Sequence, residues 1–434
     1  MKRQILLVAL IVIFTCSIAL AQTKTMGRTA DPVEFAGSKV EGLIGTPIAN
    51  IGTFAKIGGV MTPIPFQVEE YTGDGELVLP EGPSKNSDKD PAFDGNDHVL
   101  FMIWDAGDKA AESELPAATT VEEVELIDPI DGTKAWVYLA AFADVAPKSD
   151  TDYVRFDPQS NMIYAQNYVM GFHPKAGMSI GHLEMTPTGG GSGKNQSDRL
   201  KIRFSAIAGG VAKIEGNEEK FTSKVTSWID GPVRVVRRTK NRMVLFWKIP
   251  TPSAELDNIY YANTFEFPTR VDLPFDVGTF MSKPELRVSQ DGNCAVGDLM
   301  FINEKNQTPV KIDGIMSDAE KSMNMGAYKW MSIYHTGGQY KGGWVSRIIY
   351  DKSSTPVVPE LYYNDDKSEA DGPEDVPGHC GDVGYRLVNL EKVSKGILKL
   401  TSVMYSVPDF DKSKVQSILN IKDAPIRVTA TQVR

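Results

Sequence analysis

Apolar and polar residues alternate along much of this chain with the period of two that a half-buried strand requires, one face inward and one outward. The alternation, or an apolar run of strand length, recurs at 134–142 (KAWVYLAAF), 199–208 (RLKIRFSAIA), 233–238 (VRVVRR) and 242–249 (RMVLFWKI). It returns at 344–350 (WVSRIIY), 397–407 (ILKLTSVMYSV) and 425–433 (PIRVTATQV). Clusters of Gly, Pro, Asn and Asp separate these runs and interrupt the chain before a helix could gather three turns. Helical spacing is confined to 317–325, with Ser317 as an N-cap and Glu320 three residues on, and to 411–419. The pattern predicts a mainly β protein.

The first 21 residues break this pattern. Lys2 and Arg3 precede an apolar run at 5–14, and Ala19-Leu20-Ala21 precede Gln22. That order of charge, apolar core and small residues reads as a secretory signal peptide. Thr15 before Cys16 is the wrong residue for lipid attachment. No later stretch approaches the roughly 20 apolar residues of a membrane-spanning helix. The expected location is the periplasm or the extracellular space.

Composition narrows the partners. The chain carries 46 basic and 56 acidic residues, a net charge of −10, and loss of the leader makes it two charges more acidic. Such a surface disfavours nucleic acid and anionic membranes and leaves cations or neutral ligands. Cys294 and Cys380 remain after the leader, and either a disulfide or two buried thiols fits them. No CxxC or CxxCH is present, so neither a zinc or redox pair nor a c-type haem has its usual support.

Two stretches stand apart from the strands. Residues 186–199 (TPTGGGSGKNQSDR) read as a flexible Gly/Ser loop, and 363–382 (YNDDKSEADGPEDVPGHCGD) as an exposed acidic loop. A soft boundary near 150 divides the mature chain into an amino-terminal β domain, 22–150, and a larger one, 151–434.

Two motifs resemble known families. TPIPFQVEEYTGDGELVLPE (62–81) followed by FDGNDHVLFMIWDAG (93–107) resembles the amino-terminal β domain of secreted proteins linked to polysaccharide breakdown. SWIDGPVRVVRR (227–238) resembles the strand entry of galactose-mutarotase-like supersandwich domains. The likeness implies an amino-terminal β-barrel-like or sandwich-like domain followed by a larger antiparallel, supersandwich-like β-sandwich. It makes Gln67, Asp94 and Asp97 landmarks of the fold rather than catalytic residues. The acidic stretch here is longer, with Pro80, Pro83 and KNSDKD, and no His, Tyr and Arg constellation of a lyase follows.

Candidate chemistry is sparse. Asp88, Asp90, Asp94, Asn96 and Asp97 offer hard oxygen ligands within ten residues, the type calcium takes. The spacing is not that of an EF-hand, and a turn capped by its own side chains fits equally. His98, at a strand mouth, reads as structural. His173 and His182 flank PKAGMSIG and would face one another across a hairpin, without a third ligand. His379 and Cys380 lie beside a second acidic run, at no recognised ligand spacing. Met162, Met170, Met178 and Met185 recur at about eight residues, either as core fillers or as soft copper ligands.

The preferred ligand-binding stretch is 328–344, YKWMSIYHTGGQYKGGW. Tyr334, Tyr340 and Trp344 offer aromatic faces around the imidazole of His335, and glycines free the backbone between them. Flat apolar rings with a few polar groups are what sugars stack against, whereas a hairpin with core aromatics is the competing structure. No GxSxG, HExxH, P-loop or dinucleotide fingerprint appears. The reading is an exported carbohydrate-recognition or polysaccharide-processing-associated protein, its partner a glycan. The alternatives are a structural or assembly component of the cell envelope, and a polysaccharide lyase or glycosidase.

Overall fold

The computed structural model describes residues 22–243, 253–294, 296–350, 356–369, 371 and 379–434. Residues 1–21, where the signal peptide is expected, residues 244–249 of the run at 242–249, and Glu374 and Asp375 lie outside them. The described chain is mainly β, in five antiparallel sheets, and none of these closes into a barrel.

The first sandwich opposes two sheets. Pro32–Ala36, His98–Met102 and Gln67–Glu69 form a three-stranded sheet. Facing it is a five-stranded sheet of Thr120–Ile127, Lys134–Ala141, Ile51–Ile57, Val60–Pro63 and the last strand of the chain, Arg427–Gln432. Residues from both ends of the sequence thus share one sheet. The unbroken apolar run 135–142 is explained by burial on both faces. Ala135, Val137 and Leu139 face the core against Phe35 and Phe101, while Trp136, Tyr138 and Ala140 join a second cluster with Phe54 and Val121.

The second unit is built around a nine-stranded sheet that begins at Phe221–Asp230 and ends at Val310–Ile312. A four-stranded sheet, from Val154–Asp157 to Ala176–Met185, packs on it through Tyr168, Met170, Met185, Phe265 and Trp344. A second five-stranded sheet packs on it through Leu361, Val383, Tyr385, Phe301 and Met331. Strands Ser197–Ala208, Met281–Asn293, His379–Val388 and Val358–Asn364 lie side by side in that sheet, with Ala212–Gly216 at one edge.

Both expected helices form, shorter or shifted. Asp318–Lys321 is a single turn, closed by the reciprocal Ser317 and Glu320 bonds of a capping box. The second helix spans Val415–Asp423 rather than 411–419, because Asp411 first caps a 3-10 turn at Lys412–Lys414. Its Val415, Ile418 and Leu419 pack against Val403 and Tyr405 of the nine-stranded sheet.

The glycine run at 186–199 corrects the sequence reading. Gly190 O accepts from Lys341 N at 3.1 Å and Gly342 N at 2.9 Å. A methyl group on Gly189, Gly190 or Gly191 would collide with the backbone of Asn167, Pro408 or Met185. These glycines serve close approach between segments of the chain.

Candidate functional site

The 328–344 segment is a strand, a glycine turn and a second strand, but its aromatic rings do not share an exposed face. In Met331–His335, alternation turns Tyr334 and His335 to opposite sides. Tyr334 stacks on Phe410 at 4.6 Å, and His335 meets the Tyr340 ring at 5.9 Å. Trp344 is 6% exposed, edge-on to Tyr168 and Phe265. The expectation of one aromatic platform is therefore corrected, since the sheet buries Trp344 and His335 while Tyr334 and Tyr340 remain half-buried.

Gln196, at the end of the glycine-rich stretch, joins two of these rings. Its Oε1 accepts the Trp344 indole N–H at 2.7 Å, and its Nε2 stands 3.1 Å from His335 Nε2. An indole N–H can only donate, so the amide oxygen must face Trp344 and the amide N–H must face the imidazole. His335 Nε2 is then the acceptor of a neutral ring. Burial agrees, holding the His335 pKa below its usual value against the opposing pull of Asp298.

The acids of 88–97 cap their own turn. Asp94 accepts from Asn96 N at 2.9 Å, and Asp97 accepts from Asp94 N at 2.9 Å and Tyr71 N at 3.1 Å. Asp88 and Asp90 accept from Lys89 N and Ala92 N, and Asn96 donates to the carbonyls of Tyr71 and Thr72. Among the described residues, no three His, Cys, Asp or Glu side chains converge on one metal position.

The histidine pair does not share a partner. His173 bonds Arg199 at 3.0 Å, and His182 pairs with Glu184 at 3.2 Å. His98 pairs with Glu34 at 2.7 Å and stacks on Tyr71. Met170 and Met185 are core residues, and Met162 fills the space beside Gly171.

The structure does provide a cleft where the second five-stranded sheet meets the nine-stranded one. It measures about 220 Å³ and is lined by Asn293, Gly297, Asp298, Lys311, Asp313 and the Cys294–Cys380 disulfide. The two cysteine Cα atoms are 5.1 Å apart. Asp298 sits at φ +50°, a left-handed conformation that costs a non-glycine residue roughly 1 kcal/mol or more. Its carbonyl accepts from Thr336 N at 3.1 Å and Thr336 Oγ1 at 3.3 Å, which ties the 336–342 turn to the cleft wall. Behind Asp313, the Asp365 carboxylate accepts from Asp313 N at 2.8 Å and Gly314 N at 3.0 Å. Asp365 is fully buried, contrary to the solvated loop expected there, and burial raises its pKa to about 6 against those two bonds.

A charged face runs along the same sheet from the cleft. Register sets Arg199, Asp291, Asp382 and Asn364 in one row and Lys201, Ser289, Gly384 and Tyr362 in the next. A third row holds Arg203, Arg287, Arg386 and Glu360. The centre is closed, with Lys201, Asp291 and Asp382 each at most 1% exposed. Lys201 Nζ lies 2.9 Å from Asp291, 3.4 Å from Asp371 and 3.7 Å from Asp382. Burial raises the Asp382 pKa, and Lys201 opposes that rise without cancelling it. Arg199 pairs with the buried Glu218 at 3.3 Å and with Glu219 at 3.2 Å. The alternation R-L-K-I-R at 199–203 was the available signal for this face. Nothing in the sequence pointed to Asp298.

No protein-family model and no curated protein matches the chain. Among solved structures, an alpha-mannosidase from Enterococcus faecalis V583 aligns with 95% of this chain at 10% identity and a TM-score of 0.42. The chain spans 46% of that enzyme's length. Among the described residues, no helix is long and apolar enough to cross a membrane.

Proposed function

We propose that this is an exported carbohydrate-recognition protein whose ligand site is the cleft at Asp298. The supporting observation is the cleft itself: an opening walled by a carboxylate in a left-handed conformation, a lysine, a disulfide and the apolar side chains of Leu299 and Ile312. At about 30 Å³ per water, its volume equals roughly seven waters, below the roughly 300–1,000 Å³ of pockets that enclose drug-sized ligands. It suits one sugar ring or the end of a glycan chain. Asp298, Asp313, Asn293 and Lys311 supply acceptors and donors for hydroxyls, and the ring of Tyr340 borders the adjoining turn. The leader at 1–21 and a disulfide, which persists in oxidising compartments, support export to the periplasm or beyond.

A glycan array probed with the wild-type chain and with Lys311→Ala tests this. Binding that Lys311→Ala weakens about tenfold is the expected outcome, and an array without hits contradicts it. Assembly within the cell envelope is the second reading. It is favoured by the burial of Trp344 and by Val211 and Phe280, which are exposed together where Gly209 N bonds Phe280 O. Self-association or envelope binding lost on Val211→Asp, with no glycan bound, decides for it.

A further inference from the structure

The charged face holds a carboxylate in a way that points to a ligand. Asp371 lies outside the strands, between Val358–Asn364 and His379–Val388, yet its side chain reaches the third row of the face. Arg287 ion-pairs with it, Lys201 Nζ lies 3.4 Å away and Arg203 Nε 4.0 Å away. Arg203 also donates to the Asp371 carbonyl at 3.2 Å. Three cations from two strands therefore converge on one carboxylate.

Their other partners differ. Arg203 is paired with Glu218, and Lys201 with Asp291 and Asp382. Arg287 sets its guanidinium carbon 4.3 Å from the centroid of the Tyr362 ring and donates from Nη2 to Asp371. A guanidinium held against an aromatic ring loses little freedom on meeting a carboxylate, so the position is preorganised for one. The Asp371 side chain is 27% exposed, while those of Arg287 and Lys201 are 12% and 1% exposed. The anion sits at the mouth and the cations lie beneath. Burial alone would raise the Asp371 pKa; Arg287 and Lys201 outweigh it and keep the carboxyl ionised.

We propose that Arg203, Lys201 and Arg287 form a carboxylate seat, that Asp371 fills it in the free protein, and that the uronate carboxylate of an acidic glycan takes its place. This rests on the carbohydrate reading above and adds the class of sugar. It also accounts for how an acidic protein would bind an acidic polymer: the ligand exchanges one internal carboxylate for another, and no further negative charge enters the seat.

The test is titration calorimetry with a galacturonic acid trimer and a galactose trimer on wild type, Asp371→Asn and Asp371→Asn/Arg287→Gln, each checked by thermal melting. Asp371→Asn is expected to bind the acidic trimer about tenfold more tightly than wild type, and the added Arg287→Gln to abolish that gain. The neutral trimer should bind all three alike. An unchanged affinity for the acidic trimer, or an equal gain for both trimers, overturns the seat while leaving the carbohydrate reading standing. Failure of every chain to bind the acidic trimer overturns the seat, and the glycan array decides the carbohydrate reading separately. Should the variants not fold, the wild-type melting temperature decides: a rise with millimolar acidic trimer and none with the neutral one supports the seat, and any other result contradicts it.

Discussion

Gln67 and Arg234 hold each other from opposite ends. Gln67 Oε1 accepts from Arg234 N at 2.9 Å, while Arg234 Nε donates to Glu69, two residues beyond Gln67, at 2.8 Å. Gln67 Nε2 closes the circuit by donating to the same Glu69 oxygen at 2.7 Å. Arg234 also reaches Glu34 and the Tyr261 hydroxyl. The two motifs that carry the family resemblance, PFQVEE and DGPVR, are thus the two halves of one buried joint between the three-stranded and nine-stranded sheets.

Removing one member of that joint strands the others. Glu69 is fully buried, so Arg234→Ala leaves a carboxylate without its cation, a loss of about 3–5 kcal/mol. Gln67→Ala leaves the Arg234 N–H unmet and costs about 1–3 kcal/mol. Urea unfolding measures both, and the double variant should lose less than the sum because the residues share Glu69.

The acidic turn at 88–97 gives a separable expectation. Asp97 accepts two backbone N–H groups in a buried position, so Asp97→Ala should cost about 2 kcal/mol. If the acids act only as caps, the loss in thermal melting is the same with and without millimolar calcium. A loss that calcium enlarges would assign the loop a metal.

Stability should depend on pH in a stated direction. Burial raises Asp365 and Asp105 to about 6 from 3.8, and the Tyr153 bond to Asp105 does not reverse this. A carboxyl with a raised folded pKa contributes fully below about 3.8, and the contribution is lost as pH rises through 6. Glu34 behaves oppositely. Burial would raise it, but His98 and Arg234 lower it to about 2, so its contribution is present above 4.5 and lost as pH falls through 2. The melting temperature is therefore expected to fall between about pH 4 and 6, and to fall less in Asp365→Asn.

The Cys294–Cys380 bridge spans 86 residues and borders the cleft. Replacing both cysteines with serine should cost about 2–4 kcal/mol by relaxing the constraint on the unfolded chain. Differential scanning calorimetry checks it, and an unchanged melting temperature would contradict it.

The strand pattern was legible because period-two alternation survives wherever one face is buried. It was legible even at 134–142, where burial on both faces erases the alternation but leaves an apolar run. The helix at Val415–Asp423 was seen but misplaced, since Asp411 caps a different turn. The glycines at 189–191 misled because the same residue serves a loose loop and a tight contact. Trp344 misled for a related reason. An aromatic residue suits a sugar cleft or a core, and the choice was made by Gln196, 148 residues away. The charged face was hidden because it is made by register: Lys201 meets Ser289, Gly384 and Tyr362 only once four distant strands are aligned.

Hydrogen exchange read by mass spectrometry, with and without a glycan that binds, locates the ligand on the molecule. The cleft reading expects protection at 293–299, 311–314 and 336–342, with 88–97 unaltered. Protection confined to any other surface would contradict it.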